Sequence, residues 1–200
     1  FKVTDADVGL ALMSARQPTG TPLPSDPVDA RTFTALKVDV QAAEFVGVEG
    51  LTVSLTDLAL ELNQGGGTYD ADGTGAGAAA ANTLVVDYSG AGAVTIGAQT
   101  LDFDGADGAL LRASGNVELG FFGFASIDGF FEFEKSTDTV TLSDGATLEV
   151  DQMLVGATDV NAFIGLNGGT DAELGFKVTD ADVGLALMSA RQPTGTPLPS

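Results

Sequence analysis

The chain has no cysteine, no histidine and no tryptophan, and only 8 basic residues stand against 28 acidic ones in its 200 positions. Without thiols or imidazoles it has no Cys/His zinc centre, no Ser-His-Asp or Cys-His nucleophile system and no disulfide framework. A formal charge of −20 leaves no basic surface for nucleic acid or for an anionic membrane. Divalent cations are the partners such a charge favours. No apolar run approaches the roughly 20 residues of a membrane-crossing helix, so membrane insertion is not expected. Sustained helical periodicity is also missing. Proline occurs only in one segment of the sequence, QPTGTPLPSDPVD at 17–29, and in that segment's partial copy near the end.

What is present is a repeat. Residues 1–25, FKVTDADVGLALMSARQPTGTPLPS, recur unchanged as residues 176–200, a period of 175. The chain therefore reads as one complete repeat, 1–175, followed by the first 25 residues of the next identical repeat, 176–200. The 25-residue copy is itself neutral, so each repeat carries the whole charge of −20. The text across the copy junction, NGGTDAELGFKVTDADVGLALM, has strand character on both sides and no linker.

Within the repeat, short runs of β-branched, aromatic and aliphatic residues bounded by Gly, Asn, Asp and Ser give an all-β reading. Strands are expected near 34–40, 44–48, 51–62, 83–88, 93–96, 99–103, 109–113, 116–124, 127–134, 139–142, 147–155 and 159–166. The segment GFKVTDADVGLALM at 175–188 aligns without gaps on GLTVSLTDLALELN at 50–63, and Asp182 falls on Asp57. In both, the apolar alternation changes parity at the Asp. Because side chains alternate along a strand, a parity switch marks a bulge or a corner. Asp7, Asp29, Asp57, Asn82, Asp107, Asp128, Asp159 and Asp182 then mark seven steps averaging about 25 residues. This spacing favours a tandem-repeat β-solenoid-like continuous rod, with about 34 Å for seven coils at strand spacing. A string of β-sandwich domains is the alternative. The proline segment and the glycine/alanine tract at 63–82 read as excursions from the scaffold.

Chemistry is sparse. LDFDGADG places Asp102, Asp104 and Asp107 on a turning backbone, and TYDADG offers Asp70 and Asp72. Clustered hard oxygen donors suit calcium, so these five are the candidate metal ligands and calcium the candidate cofactor. Turn formation by Asp and Gly explains the same residues without a metal. Neither segment has the EF-hand spacing or the calcium nonapeptide phase. Six phenylalanines in FFGFASIDGFFEF, 121–133, read as a buried row, with Glu132 and Glu134 facing solvent. No carboxylate pair stands out for glycoside hydrolysis, and the basic residues of the repeat are scattered, so no catalytic residue is assigned and no enzymatic activity is expected.

The run from TLDFDGADGALLRASGNVELGFFGF to VNAFIGLNGG, with GFKVTDADVGLALM and ALKVDVQAAEFVGVEGLTVSLTDLALELN, resembles the long tandem repeats of giant bacterial secreted or cell-surface proteins. Such proteins often carry haemolysin-type calcium-binding modules elsewhere. The resemblance implies an extracellular or cell-surface location and a mechanical or adhesive role. The expected function is a structural repeat protein that forms a fibre, stalk or matrix filament. Its partners would be neighbouring repeats of the same chain, further copies in filaments, and divalent cations. A calcium-dependent adhesin with spacer or binding repeats is the alternative; a polysaccharide-active enzyme is the third reading.

Overall fold

The computed structural model of the chain describes residues 1–16, 29–70 and 79–191. Among them the secondary structure is all β apart from two single 3-10 turns, Gly90–Gly92 and Gly105–Asp107. The strands are β1 (Lys2–Ser14), β2 (Thr32–Glu44), β3 (Leu51–Gly66), β4 (Thr68–Tyr69), β5 (Ala80–Ala81), β6 (Val94–Ile96), β7 (Gln99–Leu101), β8 (Leu110–Phe121), β9 (Ala125–Thr141), β10 (Thr147–Leu166) and β11 (Leu174–Ala190). Seven of them form one antiparallel sheet in the order β1-β2-β3-β8-β9-β10-β11. Every neighbour in this order is also the next long strand in sequence. The two remaining pairs, β4-β5 and β6-β7, are small hairpin ladders inserted between β3 and β8.

The seven long strands run from 12 to 20 residues, well beyond the usual ~5–6. Bulges make that length workable, because an extra residue bends and twists a strand without ending it. Asp5, Asp57, Asp159 and Asp180 take positive φ of 54°, 53°, 54° and 55° in mid-strand. Asp is among the few non-glycine residues that enter this region at modest cost. The parity switch at Asp57 and the marker at Asp159 therefore fall at bulges, and the strands continue through them. Expected strands 109–113 and 116–124 are one strand, β8; likewise 127–134 and 139–142 merge into β9, and 147–155 and 159–166 into β10.

The other marker residues do different jobs. Asp29 forms a single bridge with Tyr69, Asn82 is a buried side-chain cap, Asp107 ends a 3-10 turn, and Asp128 precedes Gly129 opposite the β10 bulge. They do not mark equivalent corners at a common spacing. Residues 83–88 belong to no strand, and 44–48 leave β2 at Glu44 for a loop. The proline segment lies outside the described residues except for Asp29. The glycine/alanine tract is described at both ends, where β4 and β5 pair Thr68 with Ala81 and Tyr69 with Ala80.

The chain divides into two compact units. One comprises Ala6–Asp39 and Ala59–Leu111. Its core is Ala35, Tyr88, Leu101, Phe103 and Leu110, with Ala11, Val86 and Ile96 packed against it. The segment between β5 and β8 supplies most of the bulky side chains and lies on the face presented by Ala11 and Ala35. Small residues on the strands make room for the covering layer. Tyr88 and Phe103 meet edge to face with ring centroids 6.2 Å apart. Asn63, 1% exposed, donates from Nδ2 to the Val86 carbonyl at 2.9 Å. Asn82 ties the start of the layer through its bonds to Gly66, Leu84 O and Leu84 N. Gln99 Nε2 donates to Asp39 Oδ2 at 2.6 Å. A Cβ on Gly65 would stand 1.9 Å from the Leu84 carbonyl oxygen, so only glycine lets the layer approach there.

The other unit comprises Phe1–Asp5, Val40–Leu58 and Arg112–Ser200. Its buried side chains include Ala43, Val150, Ala157, Val160 and Phe163, with Ser136 and Gln152 hydrogen-bonded to each other at 3.0 Å. The phenylalanine-rich run does not form a buried row. Phe121, Phe122 and Phe124 surround the β8–β9 turn and are more than half exposed, while Phe130, Phe131 and Phe133 are half-buried. Their side chains stay exposed although the turn's backbone is tied to its neighbours: the Phe122 amide donates to the Gly50 carbonyl, and the Phe124 carbonyl accepts from the Gly165 amide. Glu132 faces solvent as expected, but Glu134 is half-buried against Arg112, 2.8 Å away.

Candidate functional site: the returning strand

The sequence FKVTDADVGLALMSA occurs at both ends of the strand order, as β1 and again within β11. Six antiparallel steps separate the two, so both copies run in the same direction. They also share their irregularity: Asp5 has φ 54° and its copy Asp180 has φ 55°. The sequence thus encodes one strand conformation that persists whether its neighbour is β2 or β10.

The two copies use opposite edges. Just after β1 the Ala15 amide donates to the carbonyl of Arg31, the residue before β2, at 2.9 Å. At the end of β11 it is Arg191, the copy of Arg16, whose amide donates to Glu149 O of β10 at 2.9 Å. Ala190, the copy of Ala15, sits opposite Val150 in the register. Successive amides of a strand point to alternate neighbours. The donors used by one copy are therefore those left over by the other, and one strand is able to carry both sets at once.

Asp182 and Asp180 explain the charged middle of this strand. The β10–β11 register shifts on both sides of Val160↔Ala181, which frees the amides of Asp159 and Asp180 from the ladder. Each is taken by the facing strand's side chain: Asp159 N donates to Asp182 Oδ1, and Asp180 N donates to Asn161 Oδ1, both at 3.3 Å. The gapless alignment of Asp182 with Asp57 needs correction on this point. The left-handed residue equivalent to Asp57 is Asp180, and Asp182 is its neighbour's acceptor. Asn161 also donates to Asp128 at 2.9 Å, and Asn116 donates to Asp57 at 3.2 Å. Gly115 and Gly129 face the bulges at Leu58 and Val160, where a Cβ would come within 3.2 and 3.1 Å of backbone Cα atoms.

Four of the five candidate calcium ligands lie among the described residues. Asp102 Oδ1 accepts from Lys37 Nζ at 3.0 Å, and Lys37 also lies 3.6 Å from Glu61. Burial pulls the Lys37 ammonium down, but the bonds to Asp102 and Glu61 outweigh it and raise its pKa. Asp104 caps the 3-10 turn by accepting from the Ala106 amide at 2.8 Å. Asp107 ends that turn, Asp70 follows β4, and Asp72 lies outside the described residues. Among the described residues no group of three or more carboxylates is placed to hold a metal ion. Asp87, not singled out in the sequence, binds the Ser89 and Gly105 amides at 2.9 and 3.2 Å, and its pKa is lowered by Ser89 first and Gly105 second. Burial pulls the Glu134 carboxyl up, but hydrogen bonds from Arg112 and Ser136 more than reverse this and lower its pKa.

Comparison with protein-family models, with curated proteins and with solved structures finds no match to this chain. Among the described residues no helix is long and apolar enough to cross a membrane.

Proposed function

We propose that this repeat is the building unit of an extracellular structural fibre, stalk or matrix filament, in which each repeat's sheet continues into the next. One observation carries the reading: the start of the second copy is the last strand of the first copy's sheet, with no linker between them. β11 is then β1 of the following repeat, hydrogen-bonded to β10 on one side and to the next β2 on the other. Each repeat contributes β1, β2, β3, β8, β9 and β10 to the sheet, about 29 Å of rise at ~4.8 Å per strand. A charge of −20 per repeat keeps neighbouring fibres apart until divalent cations screen or bridge them. The role is mechanical length, with no catalysis. The location outside the cell rests on the resemblance to giant bacterial surface repeats.

Amide hydrogen exchange tests the seam. In the 200-residue chain, the β11 amides directed away from β10 exchange fast and the alternate ones slowly. Extending the chain by one further repeat is expected to protect both sets. Continued fast exchange of the outward set in the longer chain overturns the shared strand.

A further inference from the structure

A groove of about 470 Å³ on the β9–β11 face is lined by Glu132, Glu134, Leu154, Gly156, Gly184 and Ala186, among others. The register explains its depth. Gly156 faces Gly184 across one ladder and Glu132 across the other, while Leu154 faces Ala186 and Glu134. Paired residues project to the same face of a sheet. The Glu132 side chain lies over Gly156, where a Cβ would come within 2.8 Å of its Cγ, so the side-chain layer is thin at Gly184 and Ala186 of β11.

Gly184 and Ala186 are the copies of Gly9 and Ala11. In β1 these positions are covered. A Cβ on Gly9 would lie 2.7 Å from Gln99 Cβ and 3.8 Å from Ile96 Cβ, and Ala11 packs against the Tyr88–Leu101 core. At Gly184 a Cβ would meet nothing within 4 Å. The same strand conformation thus has a filled seat in one copy and an open one in the other. What fills the first is the β6–β7 hairpin, residues 94–101, which lies far along the chain from β1. The matching hairpin for β11 belongs to the following repeat.

We infer that the groove around Gly184 is the docking seat for the β6–β7 hairpin of the next repeat. The inference rests on the shared-strand reading above and adds a second connection: the joint between repeats is closed by side-chain packing on the sheet face as well as by strand pairing at its edge. The glycine at positions 9 and 184 is required because the Gln99 side chain approaches the strand too closely for any Cβ. Gln99 is itself aimed by its bond to Asp39 of β2, so the seat fills only when the next repeat's β2 is in place.

A cysteine-free chain makes the test direct. In a chain extended by one full repeat, Gly184→Cys is combined with cysteine at the next repeat's counterpart of Gln99. Gly9→Cys with Gln99→Cys serves as the control within one repeat. Disulfides need Cβ separations of roughly 3.5–4.5 Å, so the 2.7 Å approach at Gly9 opens by about 1 Å on bonding. Both pairs are expected to oxidise to a cross-linked species with altered gel mobility. A cross-link in the control but not at Gly184 overturns the seat. Gly184→Val gives a second readout: no change in the 200-residue chain, and a fall in Tm of roughly 2–8 °C in the extended one. An unchanged Tm in the extended chain also overturns it. The β11 exchange pattern in the same protein separates the two ideas, since protected outward amides with no cross-link remove the seat and leave the shared strand standing.

Discussion

Replacing Leu101 by alanine tests the core of the unit formed by Ala6–Asp39 and Ala59–Leu111. Leu101 is 0% exposed and sits among Ala35, Tyr88, Phe103 and Leu110. Truncation removes three methylene equivalents, about 2.4 kcal/mol of transfer free energy at ~0.8 each. The hole adds to this, because Phe103 and Leu110 are anchored by the ladder and by Tyr88 and relax only in part, giving about 3 kcal/mol in all. The assay is urea unfolding followed by tyrosine emission. The chain has two tyrosines and no tryptophan, and both Tyr69 and Tyr88 belong to this unit. With a urea slope of about 1–2 kcal/mol/M, the midpoint should fall by about 1.5–3 M. A shift below about 0.5 M would refute the reasoning, since it would mean that the layer carrying Leu101 does not form this core.

Three further outcomes are expected. Tyr88→Phe should stabilise this unit by about 1 kcal/mol, read by circular dichroism, because the Tyr88 hydroxyl is buried without a hydrogen-bond partner among the described residues. Chelation with EDTA should leave Tm and strand content unchanged, since Asp102 is taken by Lys37 and Asp104 by the Ala106 amide; a loss of stability on chelation would favour the calcium-dependent adhesin. Glu134 has a lowered folded-state pKa, so its stabilisation is fully present above the ordinary carboxylate range and is lost as pH falls through the lower folded value. Glu134→Gln should therefore flatten the acid limb of the urea midpoint against pH, and an unaltered limb would contradict the Arg112–Glu134 pairing.

The repeat, the all-β class and the missing linker were legible in the sequence because identity over 25 residues and period-2 alternation are local signals. Strand lengths were not. At Asp159 a bulge reverses the alternation, and its Asp and Gly neighbours look like turn residues, so one 20-residue strand reads as two. The use of the charged TDAD in β11 was not legible either: Asp180 and Asp182 serve the β10 bulge, a need visible only once β10 and β11 are paired. The core was obscure because Tyr88, Leu101 and Phe103 reach Ala35 across more than fifty residues. Exposed Phe121, Phe122 and Phe124 show the converse. Apolar composition signals a cost of exposure, and only topology decides whether a facing element removes it. Glycine offered the one overlooked clue. Gly9 lies in an apolar strand where any side chain would pack better, unless another segment must come close.

The continuous sheet is tested most directly by cryo-electron microscopy of a chain of at least four repeats. The expected image is an unbroken rod whose power spectrum shows about 4.8 Å along the axis and a repeat of about 29 Å, six strand spacings. Separate beads with no axial 4.8 Å signal would contradict it.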